Sequence, residues 1–199
     1  MNNKHGLTSR TALIKVAGIF VLAGLFARVT HGANAVDGFL CCNVYSDGQE
    51  ISDLNAPSTE RHRVPVGSPI HVTSVGKHKI KLDIENKKQV LMNDNSQGLS
   101  MPEFIKRFVV SEDPNTRIKT FPMNVQVAIA DGRLIHGMTR EQVLMSLGYP
   151  TYDDVPNLSS KTWLYWITDH AQFRVTFGAD DRVADVENVP DAKKQILMD

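Results

Sequence analysis

The chain has 199 residues, which is enough for one domain or two small ones. Its apolar content of 42% and its aromatic content of 7% are ordinary for a globular protein, so a hydrophobic core is available. The formal net charge is zero, but residues 1–35 hold four of the 22 basic side chains and none of the 22 acidic ones. The remainder, with 18 basic against 22 acidic side chains, lacks the positive footprint that general nucleic-acid binding needs.

The first 35 residues are typical of an export signal. Basic residues precede an uncharged apolar run over residues 16–27, and Ala33 and Ala35 have the spacing of a cleavage site. We therefore predict a cleaved signal peptide over residues 1–35 and a periplasmic protein, for which association with the outer membrane is one option. The alternative is a transmembrane anchor, but the run is well short of the roughly 20 residues that span a bilayer.

Cys41 and Cys42 are the only cysteines in the chain. The segment Gly38-Phe39-Leu40 before them does not fit a lipoprotein signal, so we expect no lipid attachment. An extended backbone would place neighbouring side chains on opposite faces, and a bond between them strains the intervening peptide. We expect one buried cysteine and one partly exposed thiol, with an intermolecular disulfide or a reactive thiol as the alternatives. The histidines are scattered and no Cys-x-x-Cys occurs, so the spacing predicts no metal site.

The segment from 36 to 97 has the pattern of a small β-domain. Strand-like runs cover residues 39–45, 70–75 and 87–92, and the run from Lys77 to Ile84 alternates strictly between apolar and polar residues. Several short strands at regular spacing favour a small barrel or a curled sheet. The segment weakly resembles a bacterial SH3-like domain.

Three lysines recur at alternate positions in the run from Lys77 to Ile84. Lys77, Lys79 and Lys81 would present three ammonium groups on one strand face. Such a row either protects a sheet edge from aggregation or binds an anion, such as a phospholipid, lipopolysaccharide or an acidic partner.

Residues 98–132 have a helical period and are predicted to form a connector. Ser100 is a candidate N-cap for a first helix that runs to Val109. Residues 112–120 are polar and predict a connection. A second helix over Asn124–Ala130 ends where Gly132 follows.

The stretch from Gly137 to Pro150 predicts a third helix with both ends specified. Thr139 is a candidate N-cap, and Gln142 three residues later completes a capping box. Gly148 stands where a left-handed C-terminal cap is expected, and Pro150 prevents the helix from continuing.

Three strands are predicted after this helix, over residues 162–166, 172–177 and 182–186. On the first of them Trp163 and Tyr165 share one face and Trp166 takes the other. The aromatic residues are either a binding surface, or Trp163 and Tyr165 form the core of the sheet and Trp166 is the better candidate for an exposed contact.

The segment from Leu134 to Val189 resembles the SmpA/OmlA (BamE-like) family, a module of the machinery that assembles outer-membrane β-barrels. Residues that carry the resemblance are Gly137-Met138-Thr139, Glu141-Gln142-Val143, Leu147-Gly148, Pro150, Trp163-Leu164-Tyr165, Phe177 and Val183. The resemblance implies two helices against a three-stranded antiparallel sheet and a role in protein–protein contacts. The layout of the chain is also similar to that of proteobacterial exported proteins.

The sequence thus predicts an α+β fold: a small SH3-like β-barrel domain, followed by a helix pair packed on a three-stranded antiparallel sheet. The predicted domains are the signal peptide (1–35), the β-domain (36–97), the connector (98–132), the BamE-like domain (133–190) and a tail (191–199).

The predicted function is that of an exported, non-catalytic binding or scaffold protein in outer-membrane protein assembly or envelope integrity. No catalytic motif such as Gly-x-Ser-x-Gly or His-Glu-x-x-His is present, so we expect no enzyme activity, and no cofactor or metal. The expected partners are envelope proteins, with the β-barrel assembly machinery as a candidate among them, and peripheral contact to the outer membrane or peptidoglycan is an option; no nucleic-acid partner is expected. The alternative is a protein whose SH3-like half binds peptidoglycan or an anionic envelope ligand. Candidate binding residues are Trp163, Tyr165, Trp166, Lys77, Lys79 and Lys81.

Overall fold

The structure is a computed structural model that describes residues 36–96, 98–151, 157–168, 171–187 and 196–198. The predicted signal peptide, the carboxylate pair Asp153-Asp154, the pair Asp169-His170 and most of the predicted tail lie outside the described residues. All described residues belong to one packed unit.

Strands hold more of the described residues than helices do. The front half contains β1 (Val36–Leu40), β2 (Val44–Ser46), β3 (Glu50–Ile51), β4 (His62–Val64), β5 (Pro69–Val75), β6 (Lys79–Ile84), β7 (Lys87–Met92) and β8 (Val109–Val110). The described helices are α1 (Met101–Phe108), α2 (Pro114–Ile118), α3 (Met123–Asp131) and α4 (Arg140–Leu147). The last three strands are β9 (Thr162–Thr168), β10 (Ala171–Phe177) and β11 (Val183–Glu187).

The front half is one eight-stranded mixed sheet with the order β4-β2-β3-β7-β6-β5-β1-β8. The pair β3–β7 is parallel and the other neighbours are antiparallel. Apolar side chains alternate along the strands, so Ile80, Leu82 and Ile84 of β6 face a buried cluster that also receives Phe104 and Phe108 of α1.

The three-stranded sheet has the order β11-β10-β9 and buries one face. Trp163, Val175 and Phe177 lie there with Ile129 of α3 and Val143 of α4, in a second buried cluster. The rings of Trp163 and Phe177 meet edge to face with centroids 4.7 Å apart.

The predicted fold class is wrong. The molecule is mostly sheet, with an eight-stranded sheet in place of a small barrel domain and four short helices in place of a helix pair on a three-stranded sheet. Two pairings enlarge the first sheet: β8, from the predicted connector, pairs with β1, and β3 pairs in parallel with β7. Both pairings involve two-residue strands, which are too short to show a period in the sequence.

Several individual elements are confirmed. The helices that Ser100 and Thr139 were predicted to begin start one residue after those caps, and both caps form capping boxes. Gly132 ends α3 in the left-handed conformation. Two predictions are wrong: residues 39–45 are not one strand, because the chain bends at Cys41 and Cys42, and the polar connection contains α2, which Asp113 caps.

Gly148 ends α4, although not with the predicted left-handed cap. Its φ of +79° is accompanied by a ψ of −166°, a combination that side chains strongly disfavour. A Cβ atom on this residue would also lie 2.6 Å from Nδ2 of Asn55. The glycine is therefore required both by the backbone conformation and by the close approach of the front half.

Asn43 and Asn55 of the front half cap the C-terminal end of α4. The backbone N–H of Asn43 donates to the carbonyl of Met145 (3.0 Å), and its Nδ2 donates to the carbonyl of Ser146 (3.0 Å). Nδ2 of Asn55 donates to the carbonyl of Leu147 (2.7 Å). The last carbonyls of a helix have no N–H donors within the helix. These hydrogen bonds supply the missing donors and thereby join the front half to the end of α4.

Candidate functional site

Trp163 and Tyr165 belong to the core. Trp163 is fully buried and Tyr165 is 5% exposed, and the hydroxyl of Tyr165 donates to the carbonyl of Gly148 (3.1 Å). Both side chains support the packing of the three-stranded sheet, so the interpretation of Trp163 as a surface contact is wrong. Trp166 points to the other face and is half-buried.

Trp166 forms part of the wall of a cavity of about 160 Å³. Residues from several distant segments complete the lining, among them Tyr45, Leu147, Tyr165, Ile167 and Phe173. Apart from Asp131, the lining side chains are buried or half-buried. The cavity lies where the front half, the ends of α3 and α4, and the three-stranded sheet meet. We call it the junction cavity.

Two larger depressions have a different character. One, of about 960 Å³, is lined largely by exposed polar residues such as Asp37, His71 and Lys88. The other, of about 740 Å³, lies beside α2 and contains the exposed pair Arg117–Glu141. The junction cavity is smaller than a typical ligand site, but it is the most enclosed of the three depressions and its lining is mostly buried or half-buried.

Two residues of opposite charge, Asp131 and Arg63, lie near the rim of the junction cavity. Asp131 lines the cavity, while Nη1 of Arg63 donates to the carbonyl of Asp131 (2.6 Å) and lies against Gly132. The hydroxyl of Tyr45 has no hydrogen-bond partner within the described residues. The cavity therefore offers aromatic and apolar surface and one neutral hydroxyl group.

Sequence reasoning identified Trp166 but missed the residues opposite it. Tyr45 and Leu147 stand in segments that show only the ordinary patterns of a strand and a helix. No local signal predicts that their side chains meet, because the cavity depends on how the two halves pack.

The lysines are only partly on one strand face. Lys79 and Lys81 are exposed on β6, whereas Lys77 lies in the connection before this strand. β6 lies between β5 and β7, so protection of a sheet edge is not their role. The two lysines stand on the outward face of an interior strand and are free to meet an anion.

A row of charged side chains crosses the same outward face. Asp37 of β1 pairs with His71 of β5, which in turn pairs with Asp83 of β6. Nδ1 of His71 is hydrogen-bonded to a carboxylate oxygen of Asp37, and this bond, more than the charges of Asp37 and Asp83, raises the pKa of His71 above its ordinary value of 6.5.

We expect the substitution Asp37→Asn to lower the pKa of His71 toward its ordinary value. Because the pKa of the folded protein is raised, protonated His71 stabilises the fold below about pH 6.5, and this contribution disappears as the pH rises through the folded pKa. A ¹H NMR titration of the His71 ring measures the shift in both proteins. An identical His71 pKa with and without the Asp37 carboxylate would show that the bond does not form.

The two cysteines are bonded to each other. Cys42 is fully buried and Cys41 is half-buried, as expected, but the prediction that they stay unpaired is wrong. The physical reason is the bend between β1 and β2, where the alternation of an extended strand does not apply. Cys41 lines the depression beside α2.

The described residues show neither a metal-binding cluster nor a membrane-spanning helix. Among the residues that the structure describes, no group of three or more histidine, cysteine, aspartate or glutamate side chains is placed to hold a metal ion. None of the described helices is long and apolar enough to cross a bilayer.

Fold and site together define a two-sheet protein with an aromatic cavity at the junction of its halves. Comparisons with family models, curated proteins and solved structures found no match to this chain.

Proposed function

We propose that this chain is an exported, non-catalytic binding or scaffold protein of the bacterial envelope, acting in outer-membrane protein assembly or envelope integrity. The observation that carries the proposal is the junction cavity, whose lining includes the aromatic residues Tyr45, Tyr165 and Phe173 and is bordered by half-buried Trp166. Aromatic side chains at concave sites are typical anchors of protein–protein contacts. The export pattern of residues 1–35 and the resemblance of residues 134–189 to the SmpA/OmlA family support an envelope location.

Cross-linking in intact envelopes tests the proposal. The full chain with a C-terminal affinity tag is cross-linked in cells, purified and analysed by mass spectrometry, with N-terminal sequencing of the mature protein. We expect a mature N-terminus near Val36 and recovery of envelope proteins such as subunits of the β-barrel assembly machinery. An uncleaved protein in the cytoplasmic fraction, without envelope partners, would contradict the proposal.

A second candidate function is the binding of an anionic envelope component by the eight-stranded sheet. The observation that favours it is the position of Lys79 and Lys81 on an interior strand, where edge protection does not explain them. Each lysine near an anionic lipid surface contributes about 1 kcal/mol.

We therefore expect Lys79→Glu with Lys81→Glu to weaken binding to phosphatidylglycerol vesicles by at least about 30-fold, since two attractive contacts are lost. Co-sedimentation at fixed ionic strength measures this change. The matched control is Lys106→Glu with Lys119→Glu, which changes the net charge equally at exposed sites on and after the helices. Equal weakening by both double variants would indicate general charge attraction and would reject the second candidate.

A further inference from the structure

We propose that the Cys41–Cys42 disulfide is a reversible redox site. A dithiol reductant opens the bond from the depression beside α2, and its opening weakens the attachment of the front half to α4. This role goes beyond the proposed binding function and does not depend on it. The supporting features are the place of the bond in the chain, the unequal burial of its two cysteines, and the hydrogen bonds that follow it.

The disulfide joins neighbouring residues, so it closes the smallest ring that a disulfide can close in a chain. A disulfide stabilises a protein mainly by restricting the unfolded chain, and this effect grows with the length of the closed loop. The Cys41–Cys42 bond therefore adds little to the stability of the whole fold. What it restricts is the backbone of the two cysteines themselves.

The bond holds a bend in a segment whose sequence favours an extended strand. Residues 39–45 have a strand-like pattern, but the chain bends at Cys41 and Cys42, between β1 and β2. Neighbouring side chains of an extended strand point to opposite faces, so the two sulfur atoms cannot stay bonded when this segment is extended. Opening the bond therefore allows the backbone to leave the bend.

The two cysteines differ in their access to a reagent. Cys42 is fully buried in the core of the front half. Cys41 is half-buried and lines the depression of about 740 Å³ beside α2. A thiolate opens a disulfide by attacking one of its sulfur atoms, and the atom that can be reached here is Sγ of Cys41.

The exchange balances with a dithiol as the reductant. Its first thiolate forms a bond to Sγ of Cys41, and the Cys41–Cys42 bond breaks. The electron pair of that bond goes to Sγ of Cys42, which takes up the proton that the attacking thiol has lost. The second thiolate of the reductant then attacks the reductant's own sulfur in the mixed disulfide and releases Cys41, which is protonated in turn. The protein gains two thiols, and the dithiol becomes an intramolecular disulfide.

The residue that follows the disulfide joins the two halves of the molecule. The N–H of Asn43 donates to the carbonyl of Met145 (3.0 Å), and its Oδ1 accepts the N–H of Val66 (2.9 Å). Met145 also lines the depression from which Cys41 is reached. Because Asn43 directly follows the bend, extension of the backbone there moves Asn43 away from the end of α4. The oxidised pair thus keeps the halves together, and the reduced pair loosens them.

The charge of the depression selects among reductants. Its lining includes the acidic residues Glu112, Asp113 and Glu141 and one basic residue, Arg117. A negatively charged thiol is repelled by this excess of carboxylates, whereas a cationic thiol is attracted.

Two matched variants test the access of each sulfur atom. Cys42→Ala keeps Cys41, and Cys41→Ala keeps Cys42. In the folded proteins we expect dithiobis(nitrobenzoate) to react with Cys41 at least tenfold faster than with Cys42. Far-ultraviolet circular dichroism shows that each variant is folded. Equal rates, or faster reaction of Cys42, would overturn the inference.

Reduction of the wild-type protein tests the exchange and its consequence. The folded protein is treated with dithiothreitol, the thiols are alkylated and counted by mass spectrometry, and amide hydrogen exchange is followed by ¹H–¹⁵N NMR. We expect full reduction without denaturant and at least tenfold faster exchange of the Asn43 and Val66 amides, with unchanged exchange in β10. The control is Cys41→Ser with Cys42→Ala, in which both amides should exchange fast with or without dithiothreitol.

Thiols of different charge test the route of attack. We compare the rates of cysteamine, which is cationic, and mercaptoethanesulfonate, which is anionic, each relative to its rate with a small neutral disulfide. We expect cysteamine to be favoured at least threefold and Glu112→Gln to reduce this preference. Glu60→Gln, at an exposed position outside the depression, should leave it unchanged. The same preference in wild type and Glu112→Gln would contradict attack from the depression.

Three further results would reject the redox site. The first is alkylation of both cysteines before any reductant is added, because no bond would then exist. The second is a bond that dithiothreitol opens only in urea, which would show a purely structural disulfide. The third is reduction that leaves the amide exchange of Asn43 and Val66 unchanged. Each of these results leaves the proposed binding function standing, since cross-linking tests that function separately.

Discussion

Replacement of Asn43 by alanine should lower the free energy of unfolding by about 3 kcal/mol. The side chain is 2% exposed, and its Nδ2 donates to the carbonyls of Ile129 (2.6 Å) and Ser146 (3.0 Å). Its Oδ1 accepts the N–H of Val66 (2.9 Å). Alanine removes the hydrogen-bond partner of these backbone groups. A buried polar group without a hydrogen bond lowers the free energy of unfolding by about 1–3 kcal/mol. Urea unfolding followed by tryptophan fluorescence measures the change.

The substitution Asn43→Asp distinguishes hydrogen bonding from packing. Aspartate has nearly the same volume and keeps the acceptor for Val66, but it presents an oxygen to the two carbonyls that now receive N–H groups. We expect a loss at least as large as that of Asn43→Ala. The control is Asn124→Ala, at an exposed position near the start of α3, with an expected change below about 0.5 kcal/mol. A stable aspartate variant would show that the hydrogen bonds of Asn43 do not hold the halves together.

Replacement of Arg140 by lysine should lower the free energy of unfolding by about 2–3 kcal/mol. The guanidinium lies 4.2 Å from the ring centroid of Phe177 and 5.2 Å from that of Trp163. Its Nη1 donates to the carbonyls of Leu158 (2.9 Å) and Ser160 (2.8 Å), and its Nη2 donates to Asp181 (3.0 Å). Lysine keeps the charge but lacks the planar fork that stacks on rings and donates in several directions.

The matched control for this variant is Arg174→Lys, on the exposed face of β10. We expect its unfolding free energy to stay within about 0.5 kcal/mol of the wild type. Trypsin adds a local readout, since Lys161 follows the residues that Arg140 holds. Faster cleavage after Lys161 in the lysine variant is expected, and similar stability and cleavage in both arginine variants would contradict the role of Arg140.

Local pattern predicted the elements better than their assembly. The alternation from Lys79 to Ile84 and the capping boxes at Ser100 and Thr139 depend on neighbouring residues, and the structure confirms each of them. The pairing of β3 with β7 joins residues about 40 positions apart, as in Glu50 with Val90, and no local pattern encodes such a contact. The fold class was wrong for this reason.

The candidate site was predicted only in part, because it too depends on contacts between residues that are far apart in the sequence. Alternation along β9 placed Trp166 away from the core face, which the structure confirms. The cavity beside it depends on Tyr45 and Leu147, which are brought together by tertiary packing, including the hydrogen bonds of Asn43 and Asn55 to the end of α4. The position of Lys79 and Lys81 inside the sheet likewise required the strand order.

The junction cavity is the proposed site of contact with a partner, and cross-linking of variants in intact envelopes tests this proposal. Wild type, Trp166→Ala and the double variant Lys79→Glu with Lys81→Glu are cross-linked in parallel, and the recovered envelope proteins are quantified. We predict that the double lysine variant retains the partners of the wild type and that Trp166→Ala, while folded, loses at least nine tenths of them. Recovery of the same partners at the same yield with Trp166→Ala would contradict the claim.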